Sequence, residues 1–155
     1  MGIGAGLDSI NSAKEGSSRV ITQFLGHIVR GENIMLVDGG AQRRSFTYID
    51  DGIDALMKII ENRKSVANGK IYNIGNPRNN YSIRRLAEMM LVVARKYPEY
   101  RTNDAKVKLV EVPSKKYYGE GYQDMKNRVP FIANTQKELG WKPQVTMKDA
   151  LSNIF

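Results

Sequence analysis

Residues 36–51 of the chain read LVDGGAQRRSFTYIDD, and the fold can be predicted outward from this stretch. Ile34 to Val37 is apolar and favours a strand. Asp38-Gly39-Gly40 is typical of a turn, because glycine adopts positive φ without a Cβ clash. Phe46 to Tyr48 favours a second strand, and Asp50 or Asp51 is placed to cap a helix. We therefore predict strand, glycine turn, strand and helix, in that order.

Two arginines lie between the predicted strands. Gln42, Arg43 and Arg44 are expected on a tight loop. A guanidinium group binds phosphate or carboxylate through two parallel hydrogen bonds, so this loop is a candidate anion site. The competing interpretation is a solvated hairpin tip with two surface arginines. The stretch by itself favours the second interpretation.

A helix is predicted upstream of this stretch, from a cap at Ser17 or Ser18 to about Arg30, with Gly31 ending it. Its apolar residues recur at helical spacing and predict one buried stripe. His27 lies off that stripe, so we expect it on the surface. The stripe consists of Val20, Ile21, Phe24, Leu25, Ile28 and Val29.

Further elements are predicted downstream. One helix spans about 51–62 and another runs from a cap at Ser82 to about Tyr97; short strands are expected at 70–74 and 107–112. A short helix capped by Asn134 and ending at Gly140, and a helix starting at Thr146, complete the chain. The predicted inward faces are Ile53, Leu56, Met57 and Ile60 in one long helix, and Ile83, Leu86, Met89, Met90 and Val93 in the other.

The predicted elements divide the chain into an irregular lead-in at 1–16 and one region at 17–155. Strands and helices alternate, which indicates an α/β or α+β class. The glycines at positions 2, 4 and 6 do not predict a dinucleotide loop, because no strand precedes them and their spacing is wrong.

Composition limits the function further. The net charge of +8 suits an anionic ligand. Nucleic acid is the generic partner of a basic chain, but the cations are scattered and no nucleic-acid motif is present, so we do not expect that partner. The chain has no cysteine and one histidine, which excludes thiolate catalysis and a histidine-rich metal site. It has no long apolar run and no visible signal peptide, so we expect a cytoplasmic protein with no membrane partner.

The pattern G-x-Q-x-R-x-F-x-x-I-x-D, from Gly40 to Asp51, resembles a signature of the extended short-chain dehydrogenase/reductases that act on nucleotide sugars. The segments 18–21 and 72–75 are also similar to this NAD-dependent epimerase/dehydratase family. A second block, residues 117–124 with Arg128 and Pro130, resembles the members that oxidise and decarboxylate UDP-glucuronic acid in lipid A modification and polymyxin resistance.

The resemblance implies roles for particular residues. Arg44 would bind the nucleotide diphosphate and Tyr122 the sugar nucleotide. Arg128 would be the catalytic residue of the decarboxylation; because arginine stays charged, we expect it to act electrostatically on the carboxylate and the enolate. Arg19 is a weaker substrate-binding candidate. The nucleotide pocket would be lined by Met35, Leu36, Val37, Asp38, Gly39, Gly40, Ala41, Gln42 and Arg43.

The resemblance also implies an α/β fold that corresponds to the C-terminal, substrate-binding part of a Rossmann-type enzyme, with the N-terminal Rossmann half absent. NAD would be the cofactor, but we find neither its glycine-rich loop nor the Tyr-x-x-x-Lys pair. Tyr122 and Lys126 have that spacing only within a predicted loop. We therefore expect a UDP-sugar-binding chain that is inactive alone and that either meets the missing half or self-associates. A UDP-sugar epimerase or dehydratase fragment and a basic anion- or nucleic-acid-binding module remain as alternatives.

Overall fold

The computed structural model describes residues 2–3, 19–100, 106–120 and 125–155. Short strands and helices alternate along the chain, as the sequence predicts, and the class is α/β. The strands are β1 (Gly2–Ile3), β2 (Ile34–Val37), β3 (Arg43–Ser45), β4 (Thr47–Tyr48), β5 (Asn80–Ser82), β6 (Leu109–Val112) and β7 (Asn127–Arg128). The helices are α1 (Val20–Arg30), α2 (Ile49–Glu61), α3 (Ile83–Ala94), α4 (Ser114–Tyr118), α5 (Ala133–Leu139) and α6 (Met147–Ser152).

The strands form three small sheets. β1 pairs with β4 and β2 pairs with β6, both in parallel. In the third sheet β3 is central, antiparallel to β5 on one side and parallel to β7 on the other. The hairpin-tip interpretation is therefore wrong, because the two predicted strands, β2 and β4, pair with β6 and β1 and not with each other. The glycine turn between them carries the chain from one sheet to another.

The main core lies between α1, α3 and β2. Ile28, Ile34, Leu36, Leu86 and Met90 are fully buried there. This arrangement confirms the predicted stripes of α1 and α3, because the residues of each stripe at the centre of its helix are buried and those at its edge are partly buried. A smaller, separate cluster joins Ala55 of α2 to Ile132 and Trp141.

Helix α2 differs from its prediction in two respects. It begins at Ile49 with Tyr48 at the N-cap, so neither Asp50 nor Asp51 caps it. Asp51 is instead buried in the first turn, where its carboxylate accepts hydrogen bonds from the backbone N–H groups of Gln144 (2.8 Å) and Val145 (3.0 Å). The second difference is that the predicted inward face, Ile53 to Ile60, points outward and is exposed.

Most predicted helix ends are confirmed. Gly31 ends α1 at φ +69°, and the Ser82 hydroxyl accepts a hydrogen bond from Arg85 N at the start of α3. Thr146 caps α6 through Asp149, and Gly140 ends α5 at φ +62°. The predicted Asn134 cap is wrong, because the N-cap is Ile132, two residues earlier, and α5 begins at Ala133.

The predicted strand at 70–74 is wrong. Residues 70–76 have no regular secondary structure, and the pairing with β3 is made by β5, further along the chain. Asn73 and Asn76 side chains in this segment donate to the carbonyl groups of Phe131 and Val145, so the segment is held by side chains rather than by a strand ladder.

His27 is also placed differently from its prediction. It is buried, and its Nδ1 lies 2.6 Å from the carbonyl oxygen of Asn33. A carbonyl only accepts, so Nδ1 carries the proton. The left-handed turn at Gly31 reverses the chain and lays it against the last turn of α1, which covers the imidazole. Ser17, Ser18 and nearly all of the 1–16 lead-in lie outside the described residues.

Among the helices in the described ranges, none combines the length and apolar character that crossing a bilayer requires.

Candidate functional site

Strand β3 holds the two arginines that were predicted on a loop. Arg43 and Arg44 are paired within the three-stranded sheet, and Arg44 lies opposite Tyr81 on one side and Arg128 on the other. The loop prediction is therefore wrong. The strand is too short to be recognised by alternation, and three polar residues in sequence obscure it.

The guanidinium groups of Arg43 and Arg44 have different partners. Arg43 is bound to Asn80, with Nε 2.7 Å from Oδ1 and one terminal nitrogen 2.6 Å from the Asn80 carbonyl oxygen. One terminal nitrogen of Arg44 donates to the carbonyl oxygens of Arg43 (2.7 Å) and Met125 (2.8 Å). Arg43 therefore ties β3 to β5, whereas Arg44 ties β3 to the segment that enters β7.

Arg44 lines a cleft of about 600 Å³, within the size range of small-molecule sites. Gly75 lies in its wall, where a Cβ would come within 2.5 Å of Pro130 Cγ. Glycine is thus required for the close approach of residues 74–75 to 129–130. The lining residues are Arg44, Ser45, Thr47, Ile74, Gly75, Met125, Asn127, Arg128, Val129 and Pro130.

Arg128 lines the same cleft and lies in register with Arg44 on the neighbouring strand. Its backbone is fixed, because its carbonyl oxygen accepts hydrogen bonds from the Ser45 hydroxyl (3.1 Å) and the Asn80 amide (3.4 Å), whereas its side chain is exposed. Like charges directly opposite each other on paired strands destabilise a sheet. An anion in the cleft would relieve this repulsion.

Asn80 is a site residue that sequence reasoning missed. Its amide nitrogen lies 3.2 Å from Ser45 Oγ, 3.1 Å from Asn127 Oδ1 and 3.4 Å from the Arg128 carbonyl oxygen, so it holds all three strands together. Asparagine is depleted in strands. The sequence feature that could have drawn attention to it is the polar pair Asn79-Asn80 just before the Ser82 helix cap. That feature does not indicate which strands Asn80 joins.

The predicted nucleotide-lining residues 35–43 are not among those that line this cleft. Leu36 is fully buried in the core, and Asp38 Oδ1 accepts a hydrogen bond from Ser114 N at 2.8 Å. Gly40 packs so closely that a Cβ would lie 2.8 Å from Arg84 N. The Arg84 guanidinium donates to the Gly39 carbonyl oxygen (3.0 Å) and to Glu111, which fixes this turn. Contact of residues 35–43 with a nucleotide stays a prediction.

Arg19, the weaker substrate-binding candidate, is not among the residues that line the cleft. Arg19 is exposed at the N-cap of α1, where its carbonyl oxygen accepts a hydrogen bond from Gln23 N. Tyr122 lies outside the described residues. Tyr117 and Tyr118, which open the second resembling block, form the end of α4, with their rings packed edge to face.

A nicotinamide dinucleotide is the cofactor that the resemblance implies. Such a cofactor is held by a glycine turn between a strand and the N-terminus of a helix. The turn at Asp38–Gly40 follows β2 but leads into strand β3, so it presents no helix N-terminus. This turn therefore does not fit a dinucleotide. The described residues also contain no cluster of three acidic, histidine or cysteine side chains arranged for a metal.

A second polar arrangement lies between the 70–76 segment and α5. The Tyr72 hydroxyl is 2.8 Å from Glu138 Oε2 and 2.9 Å from the Val66 carbonyl oxygen. Both partners only accept hydrogen bonds, so the single hydroxyl proton serves one of them at a time. Desolvation, and then the hydrogen bond and charge of Glu138, raise the pKa of Tyr72.

Comparison with known proteins agrees with this architecture. Residues 3–75 match the model of the NAD-dependent epimerase/dehydratase family. The PbgP3 protein of Burkholderia pseudomallei is 63% identical, and the match covers 97% of this chain and 41% of PbgP3 with a TM-score of 0.80. This chain therefore has an α/β fold shared with that crystal structure over the matched part.

Two epimerases share the fold at lower identity. A UDP-glucuronic acid 4-epimerase mutant of Bacillus cereus, solved with UDP-4-deoxy-4-fluoro-glucuronic acid and NAD, is 21% identical over 87% of this chain and 38% of its own, with a TM-score of 0.69. The UDP-glucose 4-epimerase of Thermotoga maritima, solved with UDP-glucose, is 21% identical over 89% and 38%, with a TM-score of 0.64. The chain spans about two fifths of the length of these solved structures.

Proposed function

We propose that this chain is the nucleotide-sugar-binding part of an NAD-dependent enzyme of the epimerase/dehydratase family that oxidatively decarboxylates UDP-glucuronic acid. The observation that carries the proposal is the in-register pair of Arg44 and Arg128 lining one cleft of about 600 Å³. UDP-glucuronic acid carries a diphosphate and a carboxylate, so it offers one anionic group to each arginine. The ligands named with the two solved epimerases belong to the same class.

In this proposal Arg44 binds the diphosphate and Arg128 orients the sugar carboxylate. A guanidinium group makes two parallel charge-assisted hydrogen bonds to an oxyanion. Oxidation of the sugar by NAD, bound outside the described residues, would supply the ketone that accepts electrons when carbon dioxide leaves. The fixed positive charge of Arg128 would then stabilise the negative charge that develops on the sugar. Decarboxylation and its lipid A and polymyxin-resistance setting rest on the resemblance and on the likeness to PbgP3.

An epimerase acting on the same sugar nucleotide is the second candidate, because a site of this kind suits either reaction. The two candidates share the bound ligand and differ in the chemistry after oxidation. Binding experiments on this chain therefore test the shared part of the proposal first.

The test is calorimetric titration of the chain with UDP and with UDP-glucuronic acid. We expect Arg44→Ala to weaken both, since loss of a charge-assisted contact costs about 1.5–3 kcal/mol, roughly 10- to 150-fold in affinity. Arg128→Ala should weaken UDP-glucuronic acid and leave UDP nearly unchanged, because only the former carries the carboxylate.

Arg63→Ala is the matched control. It removes the same charge from a side chain that is 85% exposed and does not line the cleft, so it should change neither affinity. A folded sample that binds neither ligand would contradict the proposal. Equal affinity for random DNA in all variants would support the basic nucleic-acid-binding alternative instead.

A further inference from the structure

A second, smaller hollow lies apart from the Arg44 cleft. Its volume is about 290 Å³, against about 600 Å³ for the cleft, and the two share no lining residue. Its walls come from residues 77–78, from α5 with the residue before it, and from residues 142–144. We call it the Arg78 hollow. Its polar lining residues are Arg78, Gln136, Lys142 and Gln144.

The charge of the Arg78 hollow is not balanced by the protein. Within the described residues no acidic side chain lines it, and none forms an ion pair with Arg78 or Lys142. Six other cations of the chain do have acidic partners: Arg30, Lys58, Arg63, Lys70, Arg84 and Arg85. Two positive side chains around one hollow repel each other, and an anion between them would remove the repulsion.

The walls of the hollow are fixed by hydrogen bonds. The Arg78 guanidinium donates to the Pro143 carbonyl oxygen, and the Arg78 backbone N–H donates to Asn76 Oδ1 at 3.1 Å. Gln144 N donates to the buried Asp51 carboxylate at 2.8 Å. Because a guanidinium group has five N–H donors, the bond to Pro143 orients it and leaves other donors for a ligand.

The size and charge of the hollow indicate the class of ligand. Its volume is about half that of the cleft in which we place a nucleotide sugar, so it suits a single oxyanion group. Two cations balance a dianion, and a phosphate group carries nearly two negative charges near neutral pH. Guanidinium and ammonium groups both bind phosphate oxygens, and the glutamine amides offer further N–H donors.

We propose that the Arg78 hollow is a binding site for a phosphate group, either as the free ion or as a monoester. Arg78 would bind its oxygens through the N–H groups not used by Pro143, and Lys142 would supply a second positive charge. The proposal rests on the residues of this hollow and does not depend on the ligand of the Arg44 cleft.

The test is an NMR titration of the chain with inorganic phosphate and, separately, with glycerol phosphate. The ionic strength is held constant with chloride, so that general screening does not change. We expect saturable shifts of the side-chain amide resonances of Gln136 and Gln144, which line the hollow. Arg44→Ala should keep these shifts, because Arg44 lines only the other cleft.

Two substitutions should weaken phosphate binding. We expect Arg78→Gln and Lys142→Gln each to lower the affinity roughly tenfold, as for the loss of one charge-assisted contact. Lys137→Gln is the matched control, since Lys137 is an exposed cation on α5 that does not line the hollow. Arg78→Gln also removes the bond to Pro143, so Lys142→Gln, at an exposed side chain, separates loss of charge from a change in the wall.

Three outcomes would overturn the proposal. The amides of Gln136 and Gln144 could show no saturable shift, or Lys137→Gln could weaken binding as much as Lys142→Gln, which would indicate a general effect of charge. Loss of the shifts in Arg44→Ala would place the ion in the Arg44 cleft. Tighter binding of glycerol phosphate would support the proposal and identify a monoester as the ligand, whereas binding of inorganic phosphate alone would support it with the free ion.

Discussion

Arg43 and Arg44 are neighbours in the sequence with the same charge, yet the structure gives them different surroundings. Alternation along β3 points their side chains to opposite faces of the sheet, so one faces Asn80 and the other the cleft. Guanidinium chemistry made both arginines candidate anion ligands, and only the resemblance to a family distinguished Arg44 from Arg43. The sequence could not show that Arg44 pairs with Arg128. The two residues are far apart in the chain and become neighbours only when β3 and β7 pair in the folded protein.

If the proposed ligand is correct, substitution of Asn80 tests whether binding depends on the alignment of β3 with β7. We expect Asn80→Ala to weaken UDP-glucuronic acid binding about 2- to 12-fold, equivalent to one net hydrogen bond of 0.5–1.5 kcal/mol. UDP binding should weaken less, because the Asn80 amide contacts both Asn127 and Arg128 of β7, whereas β3, which carries Arg44, also keeps its backbone pairing with β5. Calorimetry on both ligands measures the difference, with the exposed Asn134→Ala as control. Equal losses for both ligands would identify a purely structural role.

At the scale of elements, sequence pattern succeeded where a helix has one apolar face. The α1 and α3 stripes were predicted and are buried. In α2 the pattern identified the wrong inward face, because the buried contacts are made by Asp51 and Ala55, which carry little hydrophobic signal. The prediction of a strand at 70–74 is wrong for a related reason. Ile71 and Tyr72 favour a strand, but none of the described strands pairs with them, and Ile71 is almost fully exposed.

The hydrogen bond from the Tyr72 hydroxyl in segment 70–76 to Glu138 of α5 makes the stability of the chain depend on pH. The pKa of Tyr72 is raised in the folded chain, so the unfolded chain loses the phenolic proton first as the pH rises. The stability from this contact is therefore complete below a pH of about 10 and is lost above it. We expect wild-type protein to lose more thermal stability between pH 8 and pH 11 than Tyr72→Phe does (pH values chosen to bracket the ordinary tyrosine pKa of about 10). Parallel melting curves would contradict this assignment.

At the scale of the whole molecule, two apolar clusters stabilise the described chain. The larger joins α1, β2, α3 and α6, and the smaller joins α2 to α5 and Trp141. Alternating strands and helices predicted the α/β class, which the structure and the PbgP3 match confirm. The division into three small sheets was not predictable, since β1, β5 and β7 are two or three residues long and give no periodic signal.

The isolated chain is expected to bind a sugar nucleotide without turning it over. The glycine turn at Asp38–Gly40 leads into strand β3 and presents no helix N-terminus to a dinucleotide, so NAD and UDP-glucuronic acid added together should yield no reduced nicotinamide. Absorbance of the reduced cofactor is the measurement, made on a sample whose UDP binding has been shown by calorimetry. Steady formation of reduced cofactor by the purified chain would contradict the prediction.

The position of Trp141 makes the smaller cluster optically distinct from the rest of the chain. It is the single tryptophan of the sequence, it is fully buried, and its indole donates to the backbone of α2. Intrinsic indole fluorescence therefore reports on the packing of Trp141 against α2 in the smaller cluster, whereas circular dichroism follows all the helices together. Comparing the two signals during denaturation would show whether the helix with the exposed apolar face melts with the main core or before it.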